Sequence, residues 1–255
     1  MERKRLFLLD EFRGLLVVNM VVFHTIWDLV YMFGNNWQWY IEDRQPWRLW
    51  IGGNFILLSG FCWKMSKNPL KRGMIVYLSG MLVSMVTILF TPSARIQFGV
   101  LTLIGSCMLL MTFLDVFLQK VPPIPGIVVC AVLFLLTLGV NSGYIGYKDI
   151  PLVELPREWY ANWFTTYIGF PESGFYSTDY YTFLPWLFMF VAGYFLYQLV
   201  LGTASRANGR MHRILEKLQK SICPPLGWVG RHALIIYMLH QPIIYGILSV
   251  WYTIF

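Results

Sequence analysis

The chain has 255 residues, 57% apolar and only 13% charged, with a formal net charge of +7. Soluble domains carry about 25% charged residues, so this composition excludes a soluble globular protein. A mean hydropathy of +0.55 and several continuous apolar runs of about twenty residues define an all-α integral membrane protein, since a β-barrel would alternate.

About seven transmembrane helices are predicted, roughly Leu6–Phe33, Trp47–Met65, Gly73–Phe90, Phe98–Leu118, Ile124–Val140, Thr182–Leu201 and Arg231–Ile254. The first run is not a cleaved secretory signal, being long, interrupted by charges and without a small-residue cleavage site. Alternate segments carry most of the basic residues: Arg3, Lys4 and Arg5; Lys64, Lys67, Lys71 and Arg72; Lys120; Arg206, Arg210, Arg213, Lys217 and Lys220; and Arg231. The others hold only Arg44, Arg48, Arg95, Lys148 and Arg157. The positive-inside rule therefore places the N-terminus in the cytosol and the C-terminus outside. The basic excess reads as topology and attraction to anionic membrane lipid, with no nucleic acid as partner. The cysteines Cys62, Cys107, Cys130 and Cys223 show no metal spacing, and three of them sit in apolar runs as free thiols.

The reading is one transmembrane domain, residues 1–255, with two larger loops. The outer one, Asn141–Tyr181, has Pro156 placed to start a short interfacial helix. The inner one, Gly202–Gly230, sets Met211, Ile214, Leu215 and Leu218 at helical spacing among basic residues, an amphipathic helix on the inner leaflet.

The chemistry concentrates in the first span, which carries Asp10, Arg13, His24 and Asp28. At about 100° and 1.5 Å per residue, Arg13 and His24 differ by about 20° around the axis and about 16 Å along it, and both aspartates fall on the same stripe. Ionisable groups in a bilayer usually face a bundle interior and act there. His24 is a candidate general base, with Asp28 one turn later positioned to accept from the imidazole. The competing reading is a polar pair that ties the first helix to its neighbours. Arg13 stays charged and needs an anion, either Asp10 or the phosphates of a nucleotide-containing donor.

In the last span His240 precedes Gln241-Pro242. Pro242 cannot donate to the Met238 carbonyl, which predicts a kink and a polar pocket at His240 and Gln241, or a kink alone. Near the outer ends Arg95 and Asp179 either hold a polar acceptor or pair with each other. Trp37, Trp39, Tyr40, Trp47, Trp159 and Trp163 crowd the outer segments. An interfacial aromatic belt is the stronger reading there than sugar stacking.

Four motifs in order resemble a bacterial family related to the catalytic domain of heparan-α-glucosaminide N-acetyltransferase. They are Asp10-Glu11-Phe12-Arg13-Gly14 with His24; Phe98-Gly99-Val100-Leu101 with Ile104-Gly105; Leu184-Pro185-Trp186 with Ala192-Gly193; and Gly230-Arg231-His232 with Tyr237 and His240-Gln241-Pro242. The separation of Arg13 from His24 is also similar to the first-helix signature of the wider membrane acyltransferase superfamily, which includes sugar O-acyltransferases. Lysosomal members have Asn at the position of His24 and use a loop histidine. This chain has none between Thr25 and Met211, and Thr102 stands where many relatives have His.

The resemblance implies a multi-pass enzyme of a bacterial plasma membrane. Acetyl-CoA would be the co-substrate, without a metal, and a hydroxyl or amine of an extracytoplasmic sugar or glycan the acceptor. It assigns His24 and Asp28 to catalysis and Asp10, Arg13 and Arg231 to acyl-CoA binding. Arg95, Asp179, His240 and Gln241 fall to the acceptor or pocket. The same polar ladder would suit a transporter or permease of a polar or anionic solute, though the chain shows no inverted repeat. A structural or assembly protein ranks last, and a homodimer is left open.

Overall fold

The computed structural model describes residues 5–147, 150–202 and 209–254, and the side chains of these except 209–212. Arg3, Lys4, Lys148 and Arg206 therefore lie outside the described residues, as do the side chains of Arg210 and Met211. The helices are α1 Phe7–Tyr31, α2 Gln38–Trp63, α3 Pro69–Phe90, α4 Val100–Leu118, α5 Pro123–Leu136, α6 Trp163–Ile168, α7 Phe183–Leu201, α8 Gly209–Leu218, α9 Pro224–Arg231 and α10 Ala233–Ile254. Among the described residues six segments are long and apolar enough to cross a membrane: α1, α3, α4, α5 with the turn after it, α7 and α10. The protein is thus an all-α, multi-pass membrane protein. The remaining predicted span, Trp47–Met65, falls in α2, whose first half carries Glu42, Asp43, Arg44 and Arg48 around Pro46.

The chain divides into two compact units, Met1–Phe55 with Arg206–Phe255, and Ile56–Ser205. In the first, apolar positions of α1 form a core of Val17, Met20, Phe23 and Val30 with Tyr40 and Ile51 of α2. Val229 of α9 and Ala233, Ile236 and Tyr237 of α10 pack against it. α1 ends at Gly34, whose φ of +76° suits the left-handed turn that closes a helix, and Asn35 N–H reaches back to the Leu29 carbonyl at 3.0 Å. α9 touches α1 backbone to backbone. A Cβ on Gly230 would lie 1.8 Å from the Asp10 carbonyl oxygen, and one on Gly14 1.9 Å from that of Leu226. Such small-residue contacts are how membrane helices approach closely. α10 runs parallel to α1: His240 meets His24, Gln241 meets Asp28, and Tyr252 meets Phe33 and Asn35. It stays helical through Pro242 from Ala233 to Ile254.

In the second unit α3 and α4 pack antiparallel, with Gly80 against Thr102 and Gly105 against Tyr77. α5 and α7 likewise pair Gly126 with Phe195 and Phe134 with Trp186. Lys64, just past α2, is bound to Asp115 of α4 at 2.7 Å, and the Tyr194 hydroxyl of α7 donates to the same carboxylate at 2.6 Å. The outer loop forms a two-stranded antiparallel hairpin, β1 Tyr144–Tyr147 and β2 Ile150–Glu154, which the apolar pattern did not announce. Pro156 opens only a single 3-10 turn, Arg157–Trp159. The short helix of this loop, α6, begins later, at Trp163, because Asn162 accepts from Thr165 N–H at 3.0 Å and closes a capping box. In α8 the side chains of Ile214, Leu215 and Leu218 are half-buried while Arg213 and Lys217 are exposed.

Candidate functional site

α1 and α10 bring His24 and His240 together, although 216 residues separate them in sequence. The rings lie 4.9 Å apart, with His240 Nε2 3.1 Å from His24 Nδ1. His240 is buried and His24 half-buried. The proton positions follow from the partners. His240 Nδ1 lies 2.6 Å from the Tyr237 carbonyl, which only accepts, so Nδ1 is the protonated nitrogen. A neutral His240 then turns an unprotonated Nε2 to His24. His24 Nδ1 faces that nitrogen and the Met20 carbonyl at 3.0 Å, two acceptors, so it too carries its ring's proton. This leaves His24 Nε2 with a bare lone pair and no hydrogen bond among the described residues. A general base presents such a nitrogen.

Asp28 is 1% exposed. Its Oδ1 accepts from Gln241 Nε2 at 3.2 Å. Asp28 Oδ2 and Gln241 Oε1 are buried without a hydrogen-bond partner among the described residues. The contact expected between Asp28 and the His24 imidazole is not made. Both residues face α10, which supplies a nearer partner to each: His240 to His24 and Gln241 to Asp28. Two buried acceptors without donors, beside a basic nitrogen, form a site that lacks hydrogen-bond donors and suits a ligand that brings them.

At the N-terminal end of α1, Asp10 lies between two guanidinium groups, Arg5 Nε at 2.8 Å and Arg13 Nη1 at 3.2 Å. The aspartate expected beside Arg13 is thus a counter-ion to it. Arg231, at the end of α9, is exposed and makes no ion pair among the described residues. Two carboxylates, Asp10 and Glu11, against Arg5, Arg13 and Arg231 leave this end with a small positive excess. Glu11, not singled out from the sequence, is 4% exposed and accepts from the Ser221 hydroxyl. Both of its oxygens also accept from Ile222 N–H at 3.0 Å. It anchors the segment leading into α9. Its signal in the sequence was a second acid beside Asp10, turned to a different face of the helix.

Arg95 and Asp179 belong to the second unit. Arg95 Nε donates to the Tyr176 carbonyl at 3.1 Å and its guanidinium lies over that ring. Asp179 Oδ2 accepts from Val100 N–H at 3.4 Å, at the first turn of α4. Thr178 N–H to the Arg95 carbonyl and Tyr181 N–H to that of Phe98 join the same two segments. Phe98 takes a φ of +57°, rare for an aromatic residue, with its ring among Trp163, Tyr167 and Phe175. Thr102, whose Oγ1 has no partner, lines a groove of about 540 Å³ with Gln97, Trp163 and methionines of α3.

A multi-pass helical protein with a histidine pair joining its first and last described spans is the class these features define. A family model, heparan-alpha-glucosaminide N-acetyltransferase, catalytic, matches residues 5–242, and the chain belongs to that family. Membership points to membrane acetyltransferase chemistry. No curated protein and no solved structure matches the chain.

Proposed function

We propose that the protein moves an acetyl group from cytosolic acetyl-CoA to a hydroxyl or amine of an extracytoplasmic sugar or glycan. The observation that carries this reading is the unprotonated, unengaged Nε2 of His24, held by His240. His24 Nε2 takes the proton of the acceptor hydroxyl or amine as that group attacks the thioester carbon. The thiolate then leaves and recovers the proton as a thiol. Asp28 Oδ2 and Gln241 Oε1 supply acceptors for further donors on the same molecule. Arg13 and Arg231 hold the phosphates of the donor at the positive end of α1. Arg13 lies about 16 Å along the axis from His24, a span that an extended pantetheine arm covers. Family membership supports acetyl transfer, and the acceptor is argued from the donor-poor site alone.

The test is acetyl transfer by protein reconstituted in liposomes, with labelled acetyl-CoA supplied on the Arg13 side. Glucosamine-ended and glucose-ended oligosaccharides are supplied on the other. Transfer to either is expected, and His24→Ala abolishes it while expression and unfolding temperature hold. Full transfer by His24→Ala sinks the role of this residue. Solute uptake without acetyl-CoA and without thioester hydrolysis would favour a permease.

A further inference from the structure

We infer that His240 is a proton-sharing partner of His24, so that the two imidazoles act as one base during acetyl transfer. This rests on the reading of His24 as the base, and adds where its proton charge goes. The geometry gives the direction. Tyr237 O accepts from His240 Nδ1–H, His240 Nε2 accepts from His24 Nδ1–H, and His24 Nε2 is left bare, an unbroken line from a backbone carbonyl to the reactive nitrogen. When Nε2 of His24 takes the acceptor proton, the Nδ1 proton of the same ring passes to His240 Nε2, the two nitrogens being 3.1 Å apart. His24 ends neutral, protonated on Nε2. His240 ends as an imidazolium that donates to Tyr237 O and to His24 Nδ1. Collapse of the tetrahedral adduct reverses both movements: His240 returns its Nε2 proton to His24 Nδ1, and His24 gives its Nε2 proton to the departing thiolate. No proton is gained or lost by the pair.

The advantage is electrostatic. A cation on His24 alone would sit in the half-buried position that faces the substrate. Sharing moves the charge one ring deeper, onto a residue whose Nδ1–H already meets a carbonyl dipole in the line of the new charge. Asp28 does not provide this, since it makes no hydrogen bond to the His24 ring, whose Nδ1 faces Met20 O and His240 Nε2. His240 touches no reacting atom. It is a positioning residue that acts through His24.

The experiment has a spectroscopic arm and a kinetic arm, both on the full chain in nanodiscs. With 15N-labelled histidine, the expected spectrum has both rings protonated on Nδ1 and a nitrogen–nitrogen coupling across the His24–His240 hydrogen bond. The coupling disappears in His240→Gln. That variant keeps an acceptor oxygen for His24 Nδ1–H but cannot take its proton. Its kcat is expected to fall about 10- to 100-fold with the KM for acetyl-CoA unchanged. A proton inventory in mixed light and heavy water is expected to curve for the unaltered chain and to become linear for His240→Gln. A linear inventory in the unaltered chain, a His24 protonated on Nε2, or wild-type kcat in His240→Gln overturns the proposal. If the unaltered chain transfers no acetyl group to any acceptor while the coupling is present, the acetyltransferase reading has failed. Transfer without the coupling means that the shared proton has failed.

Discussion

Asp28 shows what a single buried atom asks of a ligand. One carboxylate oxygen is satisfied by Gln241 and the other is not, and a buried acceptor left unpaired costs about 1–3 kcal/mol. If an acceptor molecule supplies the missing donor, Asp28→Asn raises its KM about ten- to a hundredfold and leaves that of acetyl-CoA unchanged. Arg13→Ala has the opposite signature, a raised KM for acetyl-CoA with the acceptor KM unmoved. Steady-state kinetics with each substrate varied in turn reads both, and an equal rise in both constants for either variant removes the division of labour. The stripe of Asp10, Arg13, His24 and Asp28 was legible in the sequence because helical geometry fixes which residues of one span share a face. Their partners were not. His240 and Gln241 come from the far end of the chain, and only packing of α10 on α1 decides that His24 takes a histidine and Asp28 an amide.

At the scale of elements the tightest backbone approach in the first unit is that of the short α9 to the start of α1. The Asp10 carbonyl sits where any side chain on Gly230 would begin, and Glu11 fastens the preceding residues through Ser221 and Ile222. Gly230→Ala therefore has to push backbone from backbone, a cost of about 1–3 kcal/mol where packing yields and more where it does not. Unfolding temperature in detergent is expected to fall clearly for Gly230→Ala. Gly246→Ala on α10, where a Cβ meets nothing within 4 Å, is expected to hold or rise. Equal behaviour of the two variants removes the contact from the account. The long helices were legible because a bilayer demands runs of fixed length. The separation of α9 from α10, the hairpin of the outer loop and the late start at Trp163 were not. They follow from local hydrogen bonds, such as the Asn162–Thr165 box, that hydropathy does not record.

For the whole molecule, the direction of two helices sets the number of crossings. α1 and α10 run the same way, as the ascending contacts of His24, Asp28 and Phe33 with His240, Gln241 and Tyr252 show. A chain that crosses a membrane in the same direction at two helices has made an odd number of crossings in between. The apolar candidates between them are α3, α4, α5 and α7, an even set. The further crossing is expected of α2, whose apolar second half ends at Trp63 beside the basic residues Lys64 and Lys67. The positive-inside rule then gives the expectation to be tested: residues 33–37 and the segment around Glu158 on one side, and residues 64–68 and 213–223 on the cytosolic side. Single cysteines at the exposed positions Asn36, Lys67, Glu158 and Lys217, in a background with the native cysteines replaced, test each step. A membrane-impermeant maleimide added to intact cells is expected to label the cysteines at Asn36 and Glu158. Those at Lys67 and Lys217 should react only after the membrane is opened. Labelling at Asn36 and Lys67 from the same side would mean that α2 does not cross. The parallel pair of α1 and α10, and with it the approach of His24 to His240, would then have to be given up.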